Sequence, residues 1–504
     1  MRADVCIVGA GAAGITLARE LAGGSHSVVV LESGGFEFAE EEANLYEGAV
    51  SGLPYHLTGS RLRFFGGSTN HWAGQSRPLD EADFEKRSWV RNSGWPFGRD
   101  ELMAHYRRAQ GICDLGPFRY DAKWWFDRMP GVDSLIETDD VGTAIFQIGP
   151  ATKFGAKFRK VLVDAENVNL VLHANVVNVR TQGRRVTGVD VKTLEGNEFG
   201  VDAEVVVLAL GGIDNARILL ASRDRSPAGV GNQNDLVGRY FMDHSLISVG
   251  RLVLSDAAPV PDLYYFVGLP MRRADVQDLK NQPPRYLLAQ LVLSRRAART
   301  AEVPSFAATL AGLAPGDDTS GITGADVTAL VGDVEGRTGV TRPVLEMTTI
   351  LGDVYRSTDR FELQVNMEPT PNPDSRVTLT ADLDPLGMPR IDLHWVFDSD
   401  DYDSIARGAE VLAREIGRTG MGRLHIRPAP GLNAKYGNHH MGTTRMHDNP
   451  KRGVVDRHGE VHGVRNLYMA GSSVFPGGGF SNPTMTIVAL ALRLAERIDR
   501  VLDS

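Results

Sequence analysis

The sequence predicts an α/β domain assembled from both ends of the chain, combined with a second, α+β unit built on an antiparallel sheet. Three observations predict this fold class: a glycine-rich turn between a strand and a helix at the N-terminus, a matching strand, turn and helix at the C-terminus, and alternating strand patterns between them. Strands followed by helices indicate a layered α/β domain, whereas runs of strands with proline-rich joints indicate an antiparallel sheet.

The N-terminal element is a strand, a glycine turn and a helix. Residues 3–8 are an apolar run, residues 9–14 have the pattern G-x-G-x-x-G, and a helical pattern follows. The first glycine permits a tight turn, the second lets a pyrophosphate approach the backbone, and the third packs the helix on the strand. A second strand at 27–31 ends in Glu32, near the position where a carboxylate hydrogen-bonds a ribose hydroxyl. The motif predicts a dinucleotide ligand and does not choose between NAD and FAD. Its candidate contacts are Gly9, Gly11, Gly14 and Glu32.

The segment 161–221 predicts a β-rich unit closed by a strand and a helix. Strand patterns at 170–172 and 175–180 precede a hairpin partner at 186–191. Residues 204–210 form a nearly continuous apolar run, typical of a strand buried on both faces, and a helical pattern follows two glycines.

From about residue 252 to 428, alternating patterns predict an antiparallel sheet. Strand patterns lie at 286–293, 344–350 and 361–367. In the last of these, one face is apolar and the other carries Gln364 and Asn366. This polar face either meets a polar substrate or is solvated.

Residues 301–340 interrupt this pattern. They are rich in Ala, Gly and Thr and acidic, with Phe306 as the only aromatic residue up to about 337. Such a composition predicts an insertion, either a plain surface insertion or a mobile loop, lid or contact arm.

The C-terminal region repeats the opening pattern, with an apolar strand at 466–470, a turn and an apolar-faced helix at 483–501. Asn482 before Pro483 predicts a helix start with the asparagine as N-cap. A nucleotide-binding domain is therefore expected at 1–80, 150–250 and 430–504, and a second, substrate-binding domain at 81–149 and 251–429.

Charge and cysteine content narrow the function classes. The chain has 504 residues and a net charge of −9 without a basic block, which argues against nucleic acid and anionic membrane surfaces as partners. No apolar run is long enough to span a bilayer, and the first strand leaves no room for a signal peptide, so a cytoplasmic location is expected. The two cysteines, Cys6 and Cys113, offer neither a disulfide framework nor a metal-ligand spacing, and no metal is expected.

Two adjacent histidines are candidates for proton transfer. His439 and His440 lie in the segment 438–446, and histidine accepts a proton near neutral pH; a pair of structural histidines is the alternative. Neighbouring residues of extended backbone point to opposite faces, so only one of the two should face a reacting group. A second cluster, with two aromatic residues, two glycines, His71 and Trp72, suits a flat ring or is a packed turn. Motifs of serine hydrolases, zincins and nucleoside triphosphatases are absent from the sequence.

Together these motifs resemble the glucose-methanol-choline (GMC) oxidoreductase family, FAD enzymes that oxidise alcohols. The motifs that carry the resemblance lie in order at 9–14, 66–72, 208–217, 237–244, 371–377, 438–446 and 477–484. The resemblance implies a Rossmann-like FAD-binding domain of the GMC or pyranose oxidase type, with a substrate-binding domain on the antiparallel sheet. The N-P-T setting of Asn482 is similar to that of the pyranose oxidase branch and its bacterial sugar and glycoside oxidase relatives.

The resemblance also implies roles for individual residues. In the family's H-x-x-G-T motif the histidine is the catalytic base, and His439 has Gly442 and Thr443 at the matching offsets. Asn482 matches the partner that hydrogen-bonds the same substrate oxygen, with His440 as a further catalytic candidate. His71 resembles the histidine through which pyranose oxidases attach FAD covalently, and a noncovalent contact is the alternative. The implied FAD contacts beyond the first motif are Gly66, Gly67, Thr69, Asn70, His71, Trp72, Val176, Gly211, Gly471, Ser472, Asn482 and Thr484. The implied substrate contacts are Gln364, Asn366 and His440.

The resulting functional prediction is an FAD-dependent oxidase of sugars or glycosides. It would oxidise a secondary ring hydroxyl, at carbon 2 or carbon 3, and reduce oxygen to hydrogen peroxide. A dehydrogenase that passes electrons to a quinone or a protein is the first alternative, and a redox-silent lyase or flavin-binding protein of the same family is the second. The sequence leaves open whether the chain forms a homo-oligomer.

Overall fold

The computed structural model describes residues 1–129, 131–150, 152–255, 262–264, 269–270, 286–312, 360–428 and 434–504. The strands in this part of the chain are β1 (Arg2–Val8), β2 (Val28–Leu31), β3 (Gly48–Val50), β4 (Gln75–Ser76), β5 (Val141–Ile148), β6 (Val168–Val171), β7 (Asn175–Gln182), β8 (Arg185–Lys192), β9 (Glu198–Leu208), β10 (Ser245–Leu254), β11 (Leu269–Pro270), β12 (Tyr286–Leu293), β13 (Phe306–Gly312), β14 (Arg360–Met367), β15 (Arg376–Leu383), β16 (Pro389–His394), β17 (Gly422–Ile426), β18 (Ala434–Tyr436) and β19 (Leu467–Met469).

The α-helices in the same part of the chain are α1 (Ala12–Leu21), α2 (Glu40–Ala43), α3 (Glu81–Phe84), α4 (Asp100–Ile112), α5 (Ala122–Phe126), α6 (Phe154–Val163), α7 (Gly211–Ala221), α8 (Arg295–Thr300), α9 (Ser399–Arg418) and α10 (Thr484–Leu502). Short 3₁₀ helices lie at Asn44–Tyr46, Gly67–Asn70, Asp262–Tyr264 and Ser472–Val474. Among the described residues, no helix is long and apolar enough to cross a membrane.

The first sheet contains both ends of the chain. Its strand order is β6-β2-β1-β9-β8-β7, with β19 beside β9. The pairs among β6, β2, β1, β9 and β19 are parallel, whereas β7, β8 and β9 form antiparallel neighbours. The strands predicted at 170–172, 175–180, 186–191, 204–210 and 466–470 are all present, and the apolar residues of β1, of the end of β9 and of β19 are buried. The carboxyl ends of β1, β9 and β19 therefore lie side by side at one edge.

Three helices from distant parts of the sequence pack together on this domain. The N-terminal α1 and the long α4 both pack against α10, whose buried face includes Met485, Val488 and Leu492. Residues of α4 belong to the same hydrophobic core as β1 and β9, although the sequence groups 81–149 with the second domain. The domain boundaries drawn from the sequence stay a prediction.

The second sheet is antiparallel at every described pairing. Its order is β17-β10-β14-β13-β12-β5-β4, with β11 beside β12 and β18 beside β10. One face packs against α9 through a core that includes Leu363, Val365 and Leu412. The other face is left for the site described below. A small third sheet joins β15, β16 and β3.

The insertion predicted at 301–340 is wrong in its first part. Residues Phe306–Gly312 form β13, a central strand that pairs with β12 and β14. Its alanines are buried, and the ladder hydrogen bonds of two neighbours hold it as a strand despite its low β-propensity. The remainder of that segment, 313–340, and the strand predicted at 344–350 lie outside the described residues.

Candidate active site

A cavity of about 670 Å³ lies between the first and second sheets. On one side it is lined by residues at the carboxyl ends of β1, β2 and β9, which is where ligands bind in open α/β sheets. On the other side it is lined by side chains of β10, β12, β13 and β14. The two ends of the chain and the second sheet therefore share one site.

The N-terminal glycine turn forms one wall of the cavity. Gly9 has a φ of 99°, and α1 begins three residues later with Gly11 as N-cap and no side-chain cap. A Cβ at Gly11 would meet nothing within 4 Å, so the free N-terminal amides of α1 face open space where an anion can lie. Gly14 does not line the cavity; a Cβ there would clash with the carbonyl of Gly9, which is the predicted packing role of the third glycine.

Glu32 is held rigidly at the end of β2. One carboxylate oxygen accepts the amide N–H of Ala10 at 2.8 Å, and the other accepts that of Gly34 at 3.0 Å. The side chain is buried and lines the cavity. Its position beside the glycine turn fits the recognition of a ribose hydroxyl.

Most of the other predicted cofactor residues reach the same cavity. The lining includes Gly67, Thr69, His71, Trp72, Val176, Gly211, Gly471, Ser472, Asn482 and Thr484. Gly66 and Asn70 are not part of the lining. Gly66 has a φ of 104° and begins the turn, and the Asn70 amide donates to the carbonyl of Phe65 at 3.1 Å. These two residues fix the conformation of the loop and do not line the cavity themselves.

His439 and Asn482 meet at the end of the cavity that adjoins the second sheet. The Asn482 amide nitrogen lies 3.4 Å from His439 Nε2, so the two groups can address one substrate atom. Burial, followed by the neighbouring His244 and His440, lowers the pKa of His439 well below its usual value. The neutral imidazole is the form that can accept a proton.

The capping role predicted for Asn482 is wrong. The helix α10 begins at Thr484 with Pro483 at the N-cap position, and no side chain caps it. The side chain of Asn482 contacts His439 instead of capping the N-terminus of α10.

His440 has a different environment from its neighbour. Its ring packs against Tyr55 and Phe241, and its carbonyl accepts the hydroxyl of Ser472 at 2.6 Å. Its Nε2 is buried without a hydrogen-bond partner among the described residues, and burial lowers the pKa of the ring to about 3. Of the two adjacent histidines, His439 is therefore the one that lies beside Asn482.

Backbone pairing brings a further histidine to His439. Residues 242 and 441 exchange both backbone hydrogen bonds, and the Gly437 amide donates to the carbonyl of His244. This antiparallel pairing places His244 Nδ1 2.9 Å from His439 Nδ1 and His244 Nε2 2.7 Å from the carbonyl of Gly479.

Asp243 fixes the backbone on which His439 is mounted. Its carboxylate accepts the amides of Asn438 at 3.0 Å and His439 at 2.7 Å, and the hydroxyl of Tyr55 at 2.6 Å. Burial raises the pKa of Asp243 to about 6, against the lowering effect of these hydrogen bonds. Asp243, His244 and Tyr55 were not predicted as site residues. Asp243 and His244 end the motif 237–244, so the sequence could have pointed to them. No sequence motif contains Tyr55.

The polar face of β14 borders the cavity and not the outer surface of the protein. Gln364 and Asn366 line the cavity together with Gln290 of β12 and Thr309 of β13. Gln290 donates to the Thr309 hydroxyl at 2.8 Å, and Asn366 donates to the carbonyl of Phe480 at 2.9 Å. We call these four residues the amide wall. It offers hydrogen-bonding groups in the cavity that His439 and Asn482 also line.

The residues of the cavity fit a flavin adenine dinucleotide. The uncapped N-terminus of α1 suits a pyrophosphate, and Glu32 suits an adenosine ribose. The buried Nε2 of His440 has no hydrogen-bond partner among the described residues, which is consistent with a ligand that supplies one. Among the described residues, no group of three or more His, Cys, Asp or Glu side chains could hold a metal ion.

Comparison with known proteins gives two family matches that together cover most of the site. The family model for FAD dependent oxidoreductases matches residues 4–227, and that for the C-terminal part of GMC oxidoreductases matches residues 371–491.

Curated relatives include both dehydrogenases and oxidases. A 2-methyl-1,2-propanediol dehydrogenase from Mycolicibacterium austroafricanum is 26% identical over 99% of this chain and 95% of its own length. A 6'''-hydroxyparomomycin C oxidase from Streptomyces lividus is 27% identical over 98% of this chain and 91% of its own. A C-glycoside 3-oxidase from Microbacterium trichothecenolyticum is 36% identical over 23% of each chain.

Among solved structures, pyridoxine 4-oxidase from Mesorbium loti has the same fold. Its TM-score is 0.60 at 17% identity, and the match covers 99% of both chains. The predicted fold class is confirmed by this likeness and by the match to the FAD dependent oxidoreductases.

Proposed function

Because the chain belongs to the GMC oxidoreductases, FAD-dependent enzymes that act on CH–OH groups, we propose that it oxidises a sugar or a glycoside. The group oxidised is a secondary ring hydroxyl, at carbon 2 or carbon 3, and the product is a ketone. Oxygen accepts the electrons and is reduced to hydrogen peroxide. The observation that carries the proposal is the amide wall, four hydrogen-bonding side chains that line the same cavity as His439 and Asn482.

A polyhydroxylated ring fits this arrangement better than a simple alcohol. Buried amides and hydroxyls select for ligands with hydroxyl groups, because a ligand without them leaves these polar groups unpaired. The oxidase and dehydrogenase relatives include one that acts on a C-glycoside, which supports the same class.

In the proposed reaction, the hydroxyl oxygen of the substrate lies between His439 and Asn482. His439 Nε2 accepts the hydroxyl proton, and the Asn482 amide donates a hydrogen bond to the same oxygen. When bound, FAD supplies the acceptor for the hydride that leaves the carbinol carbon. The C–H bond breaks as the C=O bond forms, and His439 holds the proton. Asn482 stabilises the negative charge that develops on the oxygen.

Three sets of residues would hold FAD. Gly9, Gly11 and Glu32 would bind the ADP half, and the loops at 67–72 and 471–484 would surround the reacting half.

Retention of flavin after acid precipitation of the protein tests for a covalent bond between FAD and His71. Complete release of flavin shows a noncovalent contact.

The function is tested by mixing the holoprotein with a panel of free sugars and glycosides without air and recording flavin absorbance. We expect bleaching by at least one carbohydrate, and hydrogen peroxide when air is admitted. His439→Gln should retain FAD and lose at least about 10³-fold in the rate of reduction. Failure of the whole panel to bleach the flavin would refute the substrate class.

A dehydrogenase is the second candidate, favoured by the similarity along nearly the whole chain to a diol dehydrogenase. In that case electrons pass to a quinone or a protein. Steady-state turnover with oxygen, compared with turnover with a soluble quinone at matched concentration, separates the two.

A further inference from the structure

His244 is a buried histidine that the proposed reaction does not use. The residue is 1% exposed, and its ring has backbone hydrogen bonds to Gly479 and Gly478 as well as a contact with the ring of His439. Nε2 lies 2.7 Å from the carbonyl oxygen of Gly479, and Nδ1 lies 2.9 Å from Nδ1 of His439. The two rings are nearly perpendicular, at 85°, with centroids 5.0 Å apart.

These contacts fix where the protons lie. A carbonyl oxygen only accepts hydrogen bonds, so His244 must carry its proton on Nε2. Burial lowers the pKa of His244, and a neutral ring has one proton, so its Nδ1 is an acceptor. His439 is also neutral and must therefore place its own proton on Nδ1, because two acceptors at 2.9 Å would repel each other.

We propose that His244 is a positioning residue that holds His439 in the tautomer with Nδ1 protonated and Nε2 free. This inference rests on the proposed function, in which Nε2 of His439 takes the substrate proton. Without His244, the proton of His439 could occupy either nitrogen, and in one of the two forms Nε2 cannot accept. A wrong tautomer disables a catalytic histidine even when its geometry is intact.

The acceptor at the far end of this chain of hydrogen bonds is itself rigid. Gly479 belongs to a glycine loop that lies directly on buried carboxylates. A Cβ at Gly479 would come within 2.5 Å of Asp83, and one at Gly477 within 2.6 Å of Glu368. Glu368 is paired with Arg87 at 2.7 Å. The carbonyl of Gly479, which orients His244, is therefore held in place by the packing of its loop against Asp83 and Glu368.

The same geometry lets His244 orient His439 but does not let it take a proton from His439. The charged or titratable groups around the pair are Asp243, whose carboxylate accepts the His439 amide, Glu368 near His244, and His440 beside His439. His244 Nε2–H points at a carbonyl, which cannot take up a proton. A proton accepted by His439 is therefore not passed on to His244.

The tautomer can be measured without any substrate. Protein labelled with ¹⁵N at histidine and loaded with FAD is studied by long-range ¹H–¹⁵N correlation, with His439 assigned by comparison with His439→Gln. We expect a protonated Nδ1 and an unprotonated Nε2 for His439. The opposite pattern would overturn the proposal, whereas a failed carbohydrate panel would overturn only the proposed function.

A matched pair of variants tests the consequence for catalysis. His244→Asn keeps an oxygen near the position of Nδ1 that can accept from His439, and His244→Leu has the same shape without an acceptor. In FAD-loaded protein, we expect flavin reduction to slow about 10²-fold in the Leu variant and less than about tenfold in the Asn variant, with KM unchanged. Equal slowing in both folded variants would show a merely structural role and overturn the proposal. If the Leu variant fails to bind FAD, the NMR pattern of the Asn variant decides: a protonated Nδ1 on His439 supports the proposal and a protonated Nε2 overturns it.

Discussion

Replacing Asn482 by aspartate places a carboxylate beside the proposed base with almost no change of shape. The amide nitrogen of Asn482 lies 3.4 Å from His439 Nε2. At that separation, unit charges in an effective dielectric constant of about 20 interact with about 5 kcal/mol. Burial holds the pKa of His439 well below its usual value, and a nearby negative charge favours the imidazolium, so the substitution raises this pKa. With allowance for water in the cavity, we expect a rise of about 2 units.

The assay is stopped-flow flavin reduction without air, at saturating substrate, between about pH 5 and 10. In the unaltered enzyme the rate constant should be independent of pH at neutral and alkaline pH, because burial lowers the pKa of His439 well below its usual value. In Asn482→Asp the rate should fall toward low pH with its midpoint raised by about 2 units. Asn482→Leu also lacks the amide donor but has no charge, so it should be about 10²-fold slower at every pH without a raised midpoint. Identical pH profiles for the Asp and Leu variants would refute the assignment of His439 as the titrating base.

Gly11→Val should lower the FAD content of the purified protein and leave the melting temperature of the FAD-free protein unchanged, since a side chain there meets open space. Gly14→Ala, which drives a methyl group into the Gly9 carbonyl, should lower the melting temperature of both forms; equal behaviour of the two variants would contradict the assigned roles. Gln364→Leu should raise KM for the carbohydrate about tenfold with little change in kcat, the effect of one lost hydrogen bond, and a loss confined to kcat would argue against a place on the substrate wall. Because burial lowers the pKa of folded His440 to about 3, only the unfolded chain takes up this proton below about pH 6.5, so stability should fall by about 2 kcal/mol by pH 5. Melting temperatures at pH 7.5 and 5 should differ less in His440→Phe, and an undiminished difference would contradict the assignment.

The strands of the first sheet could be predicted because their local pattern agrees with their environment. Residues 205–208, within the predicted segment 204–210, are valine and leucine, and they lie fully buried at the end of β9, where β1 and β19 are parallel neighbours. The strand β13 could not be predicted on this basis. Its sequence, Phe306–Gly312, is mostly alanine and glycine, and what makes it a strand is pairing with β12 and β14, which lie far apart in sequence.

The same distinction applies to the candidate site. His439 and Asn482 lie in short motifs, so their likeness to a family pointed to them directly. His244 and Asp243 act on His439 across 195 and 196 residues of sequence, through an antiparallel pairing that no local pattern announces. For Asn482 the local pattern was misleading. The Asn-Pro sequence predicted a helix cap, whereas the side chain of Asn482 contacts His439, which is distant in sequence.

The pairing of β19 with β9, and of α10 with α1, has a consequence for how the protein is made. At about 5 to 20 residues per second, roughly 20 to 90 s separate the synthesis of β1 from that of β19. During this interval the apolar sides of β9 and α1 lack the strand and the helix that cover them, and the cavity lacks Gly471, Ser472 and Asn482. A chain interrupted before residue 466 therefore lacks Asn482 and the glycine loop, so the proposed catalytic pair is complete only after nearly the whole chain has been made.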